Sequence, residues 1–201
     1  MLAIKILFLG GLFMAFSMGL PTSSVAANNN PRVLMETSMG TMVLELYPEK
    51  APITVKNFLD YVDAGFYDGT IFHRVIPGFV LQGGGFNEKM EKKENKAPIK
   101  NEADNGLRNL RATLSMARTQ QINSATSQFF INLKNNSNLD HGDHGFGYAV
   151  FAKVVKGISV IDKMAGVKTT TKGHYQNVPV EPVFIISAKR EKALEKQEPK
   201  K

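Results

Sequence analysis

The pattern of apolar and polar positions changes period twice along the chain. Val33-Leu-Met-Glu-Thr37 and Thr41-Met-Val-Leu-Glu-Leu-Tyr47 are β-prone runs on either side of Ser38-Met39-Gly40, which predicts two strands joined by a short hairpin loop. After Pro48 the period lengthens, with Val55, Phe58, Leu59 and Val62 at i, i+3, i+4 and i+7. That spacing predicts an amphipathic helix of about three turns, with Pro52 in its first turn and Gly65 just past its end. Short β-prone runs follow at 70–76, 79–82, 112–116, 128–133, 148–155 and 183–188, and 158–164 offers a second helix. Many short strands with two helices predict a barrel or sandwich capped by helices.

The two ends do not belong to this pattern. From Met1 to Pro31 the only charged side chain is Lys5, followed by the apolar run Ile6 to Leu20 and the small-residue stretch Pro21-Thr-Ser-Ser-Val-Ala-Ala-Asn28. This is the grammar of a secretory signal peptide over 1–27, with cleavage expected after Ala26 or Ala27. The apolar run falls short of the roughly 20 residues of a membrane span, so no stable membrane association is expected after cleavage. From Ala188 onward stand six basic and three acidic side chains, read as a solvated basic tail over 189–201. Between them, 32–188 shows no repeat and no long linker and is read as one domain.

Composition narrows the chemistry. Of the formal charge of +7, Lys5 and the tail supply four units, so the net charge gives no case for a nucleic-acid partner. The absence of cysteine excludes a disulfide scaffold, a thiol nucleophile and a thiolate metal site, and suits an oxidising compartment. His141, Asp143 and His144, with Asp140 just before them, are residue types that hold zinc. They lie in a short glycine-rich loop without a remote further ligand, which favours a hydrogen-bonded turn, and no metal is assigned. No Gly-x-Ser-x-Gly elbow marks a hydrolase. The run Glu88-Lys-Met-Glu-Lys-Lys-Glu-Asn-Lys96 reads as a solvated excursion.

The most informative segment is Thr70-Ile-Phe-His-Arg-Val-Ile-Pro-Gly-Phe-Val-Leu-Gln-Gly-Gly-Gly85. Read as a strand, it puts Phe72, Arg74 and Ile76 on one face and Ile71, His73 and Val75 on the other. Pro77-Gly78 then turns the chain, and Phe79 and Gln82 follow, with three glycines that allow close backbone approach. An aromatic wall, a fixed cation and an amide donor form a peptide-binding combination.

Phe72-His-Arg-Val-Ile-Pro-Gly-Phe-Val-Leu-Gln-Gly-Gly84 resembles the signature of the cyclophilins, the peptidyl-prolyl cis-trans isomerases. The resemblance continues through Leu114-Ser-Met-Ala-Arg118, Ser127-Gln-Phe-Phe-Ile-Asn132 and Gly147-Tyr-Ala-Val-Phe151. Asn101-Glu-Ala-Asp-Asn-Gly-Leu-Arg108, the asparagine-rich loop and Tyr175-Gln-Asn-Val-Pro179 look most like the exported bacterial branch, the periplasmic cyclophilin A type. The resemblance implies a mainly β fold, a closed eight-stranded antiparallel β-barrel capped by two α-helices. It also implies a monomer without cofactor that acts on proline-containing segments of unfolded or folding exported proteins in the periplasm.

By the same resemblance Arg74 is the catalytic group, donating a hydrogen bond towards the nitrogen of a twisting X-Pro amide. Phe79, Val80, Met116, Phe130 and Leu139 match positions that line the proline pocket. Gln82 and Gln128 match positions that bind substrate backbone or orient the arginine, and Ala117 and Arg118 match the strand edge where peptide lies. Phe129 and Phe130 face opposite ways in a strand, so only one can line the pocket, and Phe130 is chosen. Asn138 stands where many eukaryotic members carry tryptophan, and Tyr148 where they carry histidine. Loss of the indole weakens the expectation of tight cyclosporin binding, while tyrosine keeps an aromatic body and a polar tip at the substrate site. The competing reading is a proline-peptide-binding chaperone or scaffold with little turnover. A barrel holding a small apolar ligand is disfavoured, because the strands carry many bulky residues that would fill its lumen.

Overall fold

The structure, a computed structural model, describes residues 30–142 and 145–191. The segment read as a signal peptide, Asp143, His144 and the tail beyond Glu191 lie outside the described residues. The chain begins with β1 (Arg32–Thr37) and β2 (Gly40–Leu46), then α1 (Pro52–Asp63), β3 (Arg74–Ile76) and β4 (Val80–Gly83). It continues with β5 (Thr113–Met116), β6 (Phe129–Asn132), a 3-10 turn (Ser137–Leu139), β7 (Val150–Lys156) and α2 (Ile158–Ala165). It ends with β8 (Thr169–Lys172), β9 (Tyr175–Pro179) and β10 (Ile185–Arg190). Lys189 and Arg190, at the start of the segment read as tail, extend β10 and pair with Leu34 and Val33.

Eight strands form one antiparallel sheet in the order β10-β1-β2-β7-β5-β6-β4-β3. In β1 the alternation is complete: Val33, Met35 and Thr37 are buried and the residues between them exposed. Val33 faces Leu44 and Met35 faces Met42 across the β1–β2 pair, so inward side chains meet from both strands. The helices cover this inner surface, α1 against β7 and β10 and α2 against β2, β3 and β4. Phe58 carries α1 into the core, with ring centroids 5.1 Å from Phe151, 5.2 Å from Tyr67 and 5.8 Å from Phe129.

The expected closed barrel is corrected to an open half-barrel. Between β3 and β10 no ladder forms. The seam is crossed by the single bridge Ile71↔Phe184, with Phe72 N–H donating to Val183 O (2.8 Å) and Ile185 N–H to Thr70 O (2.8 Å). Closure fails because the chain leaving α1 runs beside β10 for only these few residues before crossing to Arg74. Further along β10 the Asp68 carboxylate accepts from Ala188 N–H (3.1 Å), occupying a donor that a neighbouring strand would need. The extended reading of 70–76 shortens accordingly. Regular strand starts at Arg74, and Phe72 turns fully into the core instead of sharing a face with Arg74.

A second departure is the hairpin β8–β9, absent from the sequence reading. Its strands, Thr-Thr-Thr-Lys and Tyr-Gln-Asn-Val-Pro, are mostly exposed or half-buried, so no apolar alternation announces them. The available signal was the β-branched threonine run next to Gly173-His174, the two residues enclosed by the Lys172↔Tyr175 pair.

Helix α1 begins at Ala51, whose side chain makes no cap hydrogen bond. Its first donors are satisfied from a distant loop, where Glu102 accepts from Ile53 N–H (3.1 Å) and Thr54 N–H (2.8 Å). A carboxylate at this end also complements the helix dipole. Glu102→Ala is expected to lower stability by about 2 kcal/mol and Glu102→Gln by less. Urea unfolding of the two variants checks this, and equal midpoints for wild type and Glu102→Ala would show that the contact is idle.

Candidate active site

The register of three short strands assembles the site. Arg74 lies opposite Gln82 across β3–β4, and Gln82 lies opposite Phe130 across β4–β6. Residues opposite one another in an antiparallel pair share a face, so cation, amide and ring emerge together on the outer side of the sheet. Arg74 Nη1 donates to Gln82 Oε1 (3.2 Å), and Gln82 Nε2 donates to Gln128 Oε1 (3.0 Å). Gln82 thereby orients the guanidinium and is itself oriented by Gln128. No carboxylate pairs with Arg74 among the described residues, and its charge remains available to a ligand.

A cavity of about 250 Å³ opens beside this line, walled by Phe79, Val80, Phe130, Leu139 and Tyr148 and rimmed by Arg74, Gln82, Ala117 and Arg118. Tyr148 stands edge-on to Phe130 with centroids 5.5 Å apart. Arg118 lies over the Tyr148 ring at 4.6 Å, while its Nε and Nη1 donate to Gly147 O (3.0 Å) and Thr119 O (2.9 Å). At the edge of β5 the backbone pairing runs out with Ala117 N–H donating to Gln128 O (2.9 Å). Asn138 is exposed in the 3-10 turn and does not line this cavity.

Of the residues singled out in the sequence, Arg74, Phe79, Val80, Gln82, Ala117, Arg118, Phe130, Leu139 and Tyr148 all meet at this cavity. Gln128 lies one step behind, through Gln82. Met116 does not reach it. It sits opposite Phe129 on the core face and is 2% exposed, because two positions facing each other across the ladder point the same way.

Sequence reasoning missed the polar scaffold beneath the cavity. Buried Asn109 donates through Nδ2 to Leu139 O (3.0 Å) and Asp140 Oδ1 (2.9 Å) and accepts from Ser115 Oγ (2.7 Å). Asn136 Nδ2 donates to Phe79 O (3.0 Å) and Asn132 Oδ1 (2.8 Å). Asn109, which precedes β5, and Asn136, in the asparagine-rich loop, thus fix two cavity walls, Leu139 and Phe79, through their own carbonyls. Asparagine density was visible, but its partners lie on other strands.

His73, beside Arg74, is buried, and burial, helped by the Arg74 charge, holds its pKa down to about 4. The ring is therefore neutral near pH 7. Among the described residues no three His, Cys, Asp or Glu side chains gather to hold a metal.

Residues 32–190 match the family model of cyclophilin-type peptidyl-prolyl cis-trans isomerases. The chain belongs to the cyclophilins. It is 61% identical over 164 residues to peptidyl-prolyl cis-trans isomerase A of Dickeya dadantii, covering 82% of this chain and 86% of that protein. It is 57% identical over 164 residues to a peptidyl-prolyl cis-trans isomerase of Acinetobacter baylyi, covering 82% and 87%. Its fold is similar to a cyclophilin-type isomerase of Cryptosporidium parvum whose crystal structure was determined in the presence of the dipeptide Ala-Pro. There the TM-score is 0.70 at 26% identity, covering 81% of this chain and 99% of that one. The cyclophilin described here is an isomerase of X-Pro peptide bonds, of the bacterial cyclophilin A type.

The glycines after β4 matter to this site. A Cβ on Gly84, at φ +79°, would stand 2.8 Å from Phe129, and one on Gly85 would overlap the Gln128 side chain. Gly85 has an ordinary φ, and Gln128 is flexible, so Gly85→Ala displaces Gln128 more than it strains the fold. The variant is expected to keep its stability within about 1 kcal/mol and to lose about tenfold in kcat/KM on a short proline peptide. Unchanged catalysis would mean that Gln128 has no positioning role.

Proposed function

We propose that the Arg74 guanidinium stabilises the twisted X-Pro amide directly. Rotation about the bond interrupts amide resonance, which gives the barrier to uncatalysed isomerisation its height of about 18–20 kcal/mol. The proline nitrogen then regains a lone pair that can accept a hydrogen bond. A cation that no carboxylate neutralises among the described residues, fixed by Gln82 at the mouth of an apolar cavity, favours that state over the planar ground state. The single observation that carries this reading is the Arg74–Gln82–Gln128 hydrogen-bonded line beside the ring-sized cavity.

The remaining groups hold the substrate while it turns. Phe79, Val80, Phe130 and Leu139 present the apolar surface a pyrrolidine ring requires, and Tyr148 closes one side. Ala117 and Arg118, where the pairing of β5 ends, take the extended backbone of the peptide. One chain supplies all these groups, which supports action as a monomer.

Its substrates are proline-containing segments of exported proteins as they fold in the periplasm. Support comes from the amino-terminal pattern of Lys5, the apolar run and the small-residue exit, together with the lack of any cysteine.

Arg74→Ala is expected to lower kcat/KM on a short proline peptide by about 100-fold or more while the peptide still binds, as read by a coupled isomerisation assay and by calorimetry. Equal rates for variant and wild type would remove Arg74 from the mechanism. Mass spectrometry of the secreted protein is expected to find an amino terminus beginning at Ala27 or Asn28. An intact Met1 would overturn the export reading.

A further inference from the structure

Arg74 and Gln82 face a second cavity on their other side, with a volume of about 450 Å³. Its walls include His73 and Phe86 from the half-barrel and His174, Tyr175 and Asn177 from the hairpin β8–β9. The rings stand in a row. Centroids are 4.6 Å apart for His73 and Phe86, 5.3 Å for Phe86 and Tyr175, and 3.9 Å for Tyr175 and His174. The rim carries carboxamides, those of Gln128, Gln176 and Asn177 among them. At 450 Å³ the cavity lies in the size range of small-ligand clefts, roughly 300–1,000 Å³.

His73 gives this cavity a specific demand. It is 5% exposed, yet its Nδ1 has no hydrogen-bond partner among the described residues. A buried polar atom left unmatched is unfavourable, and the His73 side chain that carries it is part of the cavity wall. The same ring is neutral near pH 7 because burial opposes its protonation, so it suits an uncharged partner. The shared wall fixes the geometry: a peptide whose proline ring occupies the smaller cavity brings its neighbouring residue within reach of the larger one.

We propose that this second cavity selects the residue next to the substrate proline, favouring an aromatic side chain that carries a hydrogen-bonding group, with tyrosine the simplest case. Four rings in tilted and edge-on contact favour another ring in edge contact. The unpartnered imidazole nitrogen favours a hydroxyl on that ring. An acidic residue is disfavoured here, since its carboxylate would pair with Arg74 and neutralise the charge that the reaction uses. The hairpin β8–β9 is thus a specificity element, and the inference rests on the smaller cavity being the proline site.

The test uses the mature chain and peptides of constant length with one proline, in which the residue on either side is varied through Tyr, Phe, Leu, Ala and Glu. At one of the two positions the wild type is expected to prefer Tyr over Ala by about tenfold in kcat/KM, with Glu below Ala. In Tyr175→Ala, a change on the half-exposed hairpin, the Tyr-to-Ala ratio is expected to fall to about two, and Tyr175→Phe to restore it. In His73→Phe the Tyr-over-Phe preference is expected to vanish while Phe-over-Ala remains. Nitrogen chemical shifts of the His73 imidazole are expected to move on adding the tyrosine peptide and not the alanine peptide. A wild type that turns over the alanine-flanked peptide but shows no aromatic preference, or the same preference in Tyr175→Ala, overturns the inference alone. Failure of the wild type on every peptide overturns the underlying reading of the proline site.

Discussion

Phe129 and Phe130 are neighbours in β6 and must point to opposite faces of the sheet, and the site depends on that constraint. Phe129 is fully buried, in contact with Phe58, Tyr67 and Phe72. Those contacts lock the register of β6 against β4 and β5, because a shift by one residue would exchange the core ring for the cavity ring. With the register held, Phe130 faces Gln82, and Gln82 faces Arg74. The core therefore positions the site through the pleat alone.

Function then follows from what surrounds that line and what does not. An arginine on a protein surface commonly finds a carboxylate. Arg74 instead has an amide as its hydrogen-bond partner, which directs the guanidinium without cancelling its charge. Behind the apolar walls, Asn109, Asn132 and Asn136 form a buried amide scaffold with Ser115 and Thr113. Fixed dipoles of this kind hold cavity walls without introducing a competing charge. Since isomerisation makes and breaks no bond to carbon, arrangement and electrostatics can supply the catalysis.

Much of this was legible in the chain. The amphipathic spacing of Val55, Phe58, Leu59 and Val62 corresponds to the buried face of α1. The Arg74–Gln82 segment pointed to a peptide site before its geometry was known. Met116 was misread because its face depends on which residue it opposes, and the partner is Phe129. The hairpin β8–β9 escaped notice because its side chains are polar and half-exposed, leaving little periodic apolar signal.

Sequence alone determined the helices, the eight strands of the main sheet, the family and most of the residues that meet at the cavity. Local period, turn residues and a long motif carry that information within short stretches of chain. Tertiary structure decided that the sheet stays open between β3 and β10, that Glu102 caps a helix some fifty residues before it, and that His73 and Tyr175 share a second cavity beside Arg74. Each of these depends on contacts between segments far apart in the chain, where closure length, a buried carboxylate or a missing hydrogen-bond partner is settled only once the segments pack together.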